Sequence, residues 1–406
     1  MGQKVRVGNR ELIKDINRSL VIEQVRNHAP VSRTEISKET KLGLSTVTKI
    51  VDELMSEGYL YESGEATSTG GRRPILLHFN NKIGYAIAVK IEQDCLLLAV
   101  TDLSANIIDK KEVPFSYGET SAGVVELLIS TIHELLSETK IPIDSVLGIG
   151  VAVSGLVNSQ DGRVLISPLL GWKNINLKSI LEEEFDTSIY IDNDVNAYAV
   201  AEMNIGKGKF LTNFIGLSIG AGIGGAIVVN KKLYHGKFGG AGEFGHSIVV
   251  HNGKPCYCGQ QGCLETYASE KYFKHEIPLI KDQFPDSRTW TEGPLTFDTL
   301  YQAAVERDNL ALEVLKNVGE YLGTGLLNII NSFNPGKVIL FGEGVIAKDY
   351  FLPYAIQRAN NNFFSRANLE TEVLVSELGK DAWLQGIALL SINHLFMIPM
   401  YEDHQR

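Results

Sequence analysis

The order of apolar segments between residues 84 and 341 constrains this chain more than any other feature. Three strand-like runs at 84–92, 95–101 and 107–115 precede a helical pattern with apolar positions Val124, Leu127, Leu128, Ile132, Leu135 and Leu136. An apolar run at 146–153 follows. The same β-β-β-α-β order then recurs. Strand-like runs fall at 214–218, 224–229 and 247–251, a helical region at 311–332, and a buried-strand pattern at 337–341. Periods near 2 and near 3.6 separate the strands from the helices. Two similar α/β halves are the simplest account, and a cleft between such halves is where a small ligand is expected to bind.

Ahead of this body lies a head of different character. Residues 10–28 place Leu12, Ile16, Leu20, Ile22 and Val25 near helical spacing, and Ala29-Pro30 ends that helix. Ser32 and Glu35 have capping-box spacing and open a short helix over 34–40. The stretch 41–44 (KLGL) makes a turn. Ser45 is expected to cap a second helix that buries Val47, Ile50, Val51 and Leu54. Helix, short glycine-containing turn and helix form the DNA-binding helix-turn-helix pattern, in which the start of the second helix reaches base edges in the major groove. Ser45, Thr46, Thr48 and Lys49 are the candidate contacts there, with Arg33 at the start of the preceding helix. A strand at 59–61, a polar loop and the segment 70–74 (GGRRP) suggest a β-hairpin wing. Arg72 and Arg73 suit the negative potential of a narrow minor groove. The expected domains are 1–78, 79–198 and 199–406, the last with a C-terminal helix packing back on the first lobe.

Charge supports a division of labour. The chain carries a formal charge of −10. Residues 1–75 nevertheless hold 12 basic against 10 acidic residues, whereas the remainder holds 26 against 38. A weakly basic head on an acidic body fits a nucleic-acid contact confined to the head. The first residues have no apolar core of signal-peptide length, and no run approaches the roughly 20 apolar residues of a membrane span. A cytoplasmic protein with no membrane partner is expected.

Three of the four cysteines fall within eight positions, in CYCGQQGC at 256–263. In a reducing compartment such a cluster more often binds metal than forms disulfides. Cys256, Cys258, Cys263 and a histidine make a closed Cys₃His set suited to structural Zn²⁺. His246 is the leading candidate for the fourth ligand, with His235 and His251 as alternatives. A closed set leaves no coordination position for substrate, so a structural role is expected.

Several motifs, spaced in order along nearly the whole body, carry a resemblance. They are LSIGAGIGGAIV at 217–228 with Gly236 and Gly240, EFGH at 243–246, CYCGQQGCLE at 256–265, and DNDVNAYAVAE at 192–202. The chain resembles the ROK family of repressors, open reading frames and sugar kinases, and with its head it resembles the xylose-repressor branch. The resemblance implies a winged helix-turn-helix joined to an α/β, actin-like or sugar-kinase-like two-lobed body. It implies zinc on His246, Cys256, Cys258 and Cys263, and sugar contacts from Gly155, Asn193, Asp194, Glu243, His246 and Glu265. It also implies operator DNA and a sugar effector (xylose first, glucose second) as partners, and a homodimer or tetramer.

In the family's kinases the residue at Asp194 is the general base. Here the place of the first phosphate loop reads AVKIEQD at 88–94, with no glycine to admit a phosphate and with Glu92 and Asp94 to repel one. A family threonine is Ala221, and a family asparagine is missing from the loop SPLL at 167–170. Sugar binding without phosphoryl transfer is therefore expected, so the chain is read as a regulator rather than an enzyme.

Overall fold

The computed structural model describes residues 9–65, 74–116, 118–287, 289 and 294–396. The wing tip with Arg72 and Arg73 lies outside the described residues. The chain divides into two compact units. One comprises residues 1–151, 177–190 and 388–406, and the other comprises 152–176 and 191–387. These differ from the linear boundaries at 78 and 198. The head belongs with the first sheet, and residues 152–176 belong with the second.

In the head, helix Arg10–His28 starts at Asn9, whose side chain accepts from the Leu12 amide. It buries Leu12, Val21, Ile22 and Val25. Leu20, expected inside, is 38 % exposed, and Val21 takes its place in the core. Helix Arg33–Thr40 opens with the capping box: the Ser32 hydroxyl accepts from the Glu35 amide, and the Glu35 carboxylate accepts from the Ser32 amide. Helix Leu44–Ser56 buries Val47, Ile50, Val51 and Leu54. Each such side chain contributes about 1.5–3 kcal/mol on burial. Ser45 does not cap it. Gly43 occupies that position with no side-chain bond, and the helix begins two residues earlier than a cap at Ser45 implies.

The wing is the antiparallel pair Leu60–Glu65 and Ile75–Phe79, with Leu60 opposite Phe79 and Tyr61 opposite His78. Val31–Ser32 adds a short third strand beside Ile75–Phe79.

The division at Ile387/Ala388 falls inside helix Ala382–Phe396. Within the first unit, the end of that helix packs on the head. The Phe396 ring meets Tyr59 at 5.9 Å and Phe79 at 5.7 Å, both edge-on. The Arg26 guanidinium lies 5.7 Å from the Phe79 centroid and 5.1 Å from that of Phe396, and donates to Asn393 at 3.1 Å. Burial brings the Arg26 pKa down to about 10 against the opposing pull of Glu23.

The chain carries two five-stranded sheets. The first runs in the order Ser188–Asn193, Val146–Val153, Tyr85–Ile91, Cys95–Asp102, Ile107–Pro114. The second runs Glu372–Val375, Lys337–Phe341, Phe214–Ile219, Ile223–Val229, Lys232–Leu233. In both, three consecutive strands form an antiparallel meander and two later strands join beside the first of them. The recurrence seen in the sequence is thus a recurrence of sheet order.

One strand was misplaced. Residues 247–251 do not join the second sheet, and Lys232–Leu233 takes the edge position. The amides of Val249 and Val250 instead donate to the Gly262 carbonyl, and Ile248 bridges Cys263, so this segment belongs to the cysteine loop. The second unit also holds a small sheet of Leu156–Asn158, Arg163–Ser167 and Trp172–Ile175. Its core is built around helix Asn309–Phe333, with Phe273, Phe297 and Phe351 fully buried.

Candidate functional site

The cysteine loop is tied by its own backbone. The Cys256 amide donates to the Gln260 carbonyl at 2.9 Å, the Gly259 amide to Cys256 at 3.0 Å, and Pro255 bridges Gln261. This brings three thiols together with one histidine. Cys256 Sγ and His246 Nδ1 are 3.6 Å apart, as are Cys258 Sγ and Cys263 Sγ. All four ligand atoms lie within 4.8 Å of one another. Ligands about 2.0–2.3 Å from a tetrahedral zinc sit about 3.3–3.8 Å from each other, so this donor set fits the ion. The choice among histidines is resolved by geometry. His235 pairs with Asp192 instead, and His251 is not part of the cluster.

Burial raises the Cys256 thiol, and it raises Cys263 to about 12, helped there by bonds from the neighbouring thiols. At Cys258 burial acts in the same sense. Hydrogen bonds, first from the Gln260 backbone and then from the other thiols, outweigh it and bring that thiol below its ordinary value.

All six candidate sugar residues lie in the second unit. Asn193 and Asp194 stand where strand Ser188–Asn193 gives way to helix Asp194–Ile205. The Asn193 side chain is the cap of that helix. Its oxygen accepts from the Val195 and Asn196 amides, and its NH₂ donates to the Gly155 carbonyl at 2.9 Å. Gly155 has φ +120°, and a Cβ there would come within 2.4 Å of the Ile166 carbonyl, so only glycine allows this approach.

Below Asn193, fully buried Asp192 accepts from the Asn193 amide, from the Asn196 side chain at 2.9 Å and from His235 Nε2 at 2.8 Å. Burial lowers the His235 pKa, but the bond and the charge of Asp192 outweigh burial and leave it above its ordinary value. The Asp192–His235 pair was not foreseen. The run DNDVN hinted at a carboxylate here, but nothing in the sequence linked it to a residue 43 positions away.

Glu243 precedes the single turn Phe244–His246. Partial desolvation raises its carboxyl. His246 opposes this, and the Glu265 and Asp194 carboxylates add to it. The Glu243 carboxylate stands 3.9 Å from His246 Nε2. Glu265, only 4 % exposed, accepts from the Ile223 amide through Oε2 at 3.1 Å and from Lys271 through Oε1. Tyr257, between two of the thiols, meets His246 Nε2 through its hydroxyl at 3.1 Å. The Lys271 ammonium stands 4.2 Å from the Tyr257 ring centroid. Neither Tyr257 nor Lys271 was picked out from the sequence: Tyr257 lies inside the cysteine motif without being one of its thiols, and Lys271 lies outside every quoted motif.

The glycine-rich turn after Ile219 has a carboxylate beside it. A Cβ on Gly220 would come within 2.5 Å of the Glu343 carboxylate, which lies against the turn. Glu270, whose amide donates to the Gly220 carbonyl, is raised by burial and by Glu343, while the Phe297 amide and Lys274 pull it down. In the first unit, residues 92–95 form a tight turn closed by the Glu92 amide on the Cys95 carbonyl, and Lys90 is paired with Glu92 at 2.8 Å.

On helix Leu44–Ser56, Ser45, Thr46 and Lys49 are exposed and Thr48 is half-buried, its hydroxyl donating to the Leu44 carbonyl. The later part of this helix is acidic, but Asp52, Glu53 and Glu57 are paired with Arg33, Lys14 and Arg18. Arg33 also holds Glu62 of the wing at 2.9 Å. Its guanidinium therefore ties the helices to the wing.

The fold and this site define a helix-turn-helix protein whose body is built like a sugar kinase. The ROK family model matches residues 86–394, and the chain belongs to the ROK family. It is 32 % identical over 398 residues to a xylose repressor of Caldicellulosiruptor bescii, covering 97 % of this chain and all of that one. A solved ROK family transcriptional regulator, described as a homolog of the E. coli MLC protein, superposes with TM-score 0.84 at 28 % identity, covering 95 % of this chain and 97 % of the other. A ROK family glucokinase from Streptomyces griseus, solved with glucose and AMPPNP, gives TM-score 0.63 at 25 % identity over 76 % of this chain and 99 % of its own. Among the described residues no helix is long and apolar enough to cross a membrane.

Proposed function

We propose that this protein is a sugar-responsive transcriptional repressor that binds operator DNA through its head and a neutral sugar in its second unit, with xylose the first candidate and glucose the second. The observation that carries this reading is the coexistence, in one chain, of an exposed Ser45–Lys49 helix face and a carboxylate-rich locality held beside a Cys₃His cluster. Carboxylates accept hydrogen bonds from sugar hydroxyls, and an imidazole N–H donates to them. Ser45, Thr46, Thr48 and Lys49 approach the major groove, while Arg72 and Arg73 supply charge for phosphates or the minor groove.

His246, Cys256, Cys258 and Cys263 would hold a zinc ion whose contribution is a structural cross-link. That cross-link fixes the orientation of the His246 ring and the position of Glu265, two residues after Cys263. Phosphoryl transfer is absent in this reading. Glu343 lies against the turn where phosphate oxygens would need backbone N–H groups, and the first turn offers Glu92 and Asp94.

Sugar lowers operator affinity in this scheme, and by reciprocity operator DNA weakens sugar binding. An anisotropy titration of the full-length protein on operator DNA, with and without xylose, glucose and their phosphates, tests it. Asp194→Ala should keep operator binding and lose the sugar effect. Operator affinity unchanged by every sugar would remove induction from the account.

A further inference from the structure

Two of the groups assigned to the sugar already have partners, and those partners touch each other. His246 Nε2 and the Tyr257 hydroxyl oxygen are 3.1 Å apart, and with Nδ1 given to zinc among the thiols Nε2 would carry the ring proton and donate to that oxygen. The two rings meet edge to face with centroids 5.2 Å apart. Glu265 Oε1 accepts from Lys271, whose ammonium lies over the Tyr257 ring. Tyr257 and Lys271 thus link His246 to Glu265 in one continuous run of contacts.

The members of this run differ in exposure. Glu265 is 4 % exposed and is anchored from behind by the Ile223 amide. Tyr257 is 56 % exposed, and the Lys271 side chain is 44 % exposed. Glu265 is therefore enclosed, whereas the two groups beside it face solvent. Tyr257 also lies between Cys256 and Cys258, so its backbone is set by the cysteine loop while its ring reaches outward.

We infer that Tyr257 is a displaceable cap on His246, held by Lys271, and that a sugar hydroxyl binds by taking the His246 N–H from the Tyr257 hydroxyl. The inference rests on the reading of this locality as the sugar site and deepens it. The hydroxyl at Nε2 must compete with an intramolecular partner, so affinity depends on residue 257. Sugars that place a hydroxyl at Nε2 are favoured over analogues lacking one, because only they repay the lost contact.

The test uses full-length protein with one equivalent of zinc verified for each variant, and D-xylose and D-glucose as probes in calorimetric titrations. Tyr257→Phe keeps the ring over Lys271 and removes only the hydroxyl. It should bind the effective sugar about fivefold more tightly, equivalent to about 1 kcal/mol. Lys271→Gln keeps a donor to Glu265 and removes the cation from the ring, and should tighten binding about twofold to threefold. Operator affinity without sugar should be the same in both variants.

Wild-type binding that Asp194→Ala abolishes supports the site itself. If Tyr257→Phe then binds within twofold of wild type, the cap is overturned and the site stands. If Tyr257→Phe binds more weakly, Tyr257 is a sugar ligand and the cap is again overturned. Failure of wild type to bind either probe, or any of their phosphates, overturns the site and the cap together.

Discussion

Replacing Phe396 with alanine removes the ring on which the head and the C-terminal helix meet. The ring is half-buried and touches Tyr59, Phe79 and Arg26. Full Phe→Ala truncation in a core costs about 3–5 kcal/mol, and an edge-to-face pair adds about 0.5–1.5 kcal/mol beyond area. Partial exposure lowers the first figure and the loss of one cation–π face raises the total again, so about 2–3 kcal/mol is expected. Phe396→Leu keeps apolar area but has no quadrupole for Arg26, and should cost about 1 kcal/mol. The two-unit chain need not unfold in one step, so hydrogen exchange of helix Arg10–His28 is the suitable assay. A loss of 2 kcal/mol corresponds to exchange about 30-fold faster there in Phe396→Ala, with a smaller effect in Phe396→Leu. Less than threefold acceleration in Phe396→Ala would refute the packing argument. Equal effects of alanine and leucine would show that ring geometry is irrelevant.

Metal analysis of purified protein should find one equivalent of zinc, and Cys263→Ser should lose it together with the sugar response; less than half an equivalent with the thiols intact would sink the assignment. The pKa of His235 is raised in the folded state, so the pair with Asp192 stabilises fully below the unfolded value near 6.5. That contribution is lost as pH rises through the folded value. The gap in thermal midpoint between wild type and His235→Asn should therefore shrink from pH 6 upward, and a gap that widens contradicts the pairing. Arg72→Ala with Arg73→Ala should weaken operator binding and lower its salt slope by about two, read from affinity across a salt series; an unchanged slope would remove the wing from the interface.

Much of the architecture was legible because it depends on local spacing. Val47, Ile50, Val51 and Leu54 declared one face of a helix, and all four are buried. Ser32 and Glu35 are three residues apart, and the capping box they imply is present. Edges were less legible. The apolar segment 247–251 looks like a strand, and only the pull of the cysteine loop keeps it out of the sheet. Leu20 fits the helical spacing as well as Val21 does, and tertiary packing chose Val21.

Sequence alone determined the helices of the head, the recurring strand and helix order apart from segment 247–251, and the identity of the three clustered thiols, since each is written in periodicity or in residues close along the chain. The tertiary structure decided which histidine joins the thiols, because His235, His246 and His251 are chemically alike and only distance separates them. It also decided that Arg33 bridges Asp52 and Glu62, that Glu343 lies by the glycine turn and that the Tyr257 hydroxyl meets His246. These are contacts made when a fold brings side chains within a few ångströms, and a linear pattern has no means of recording which of several equivalent groups will arrive.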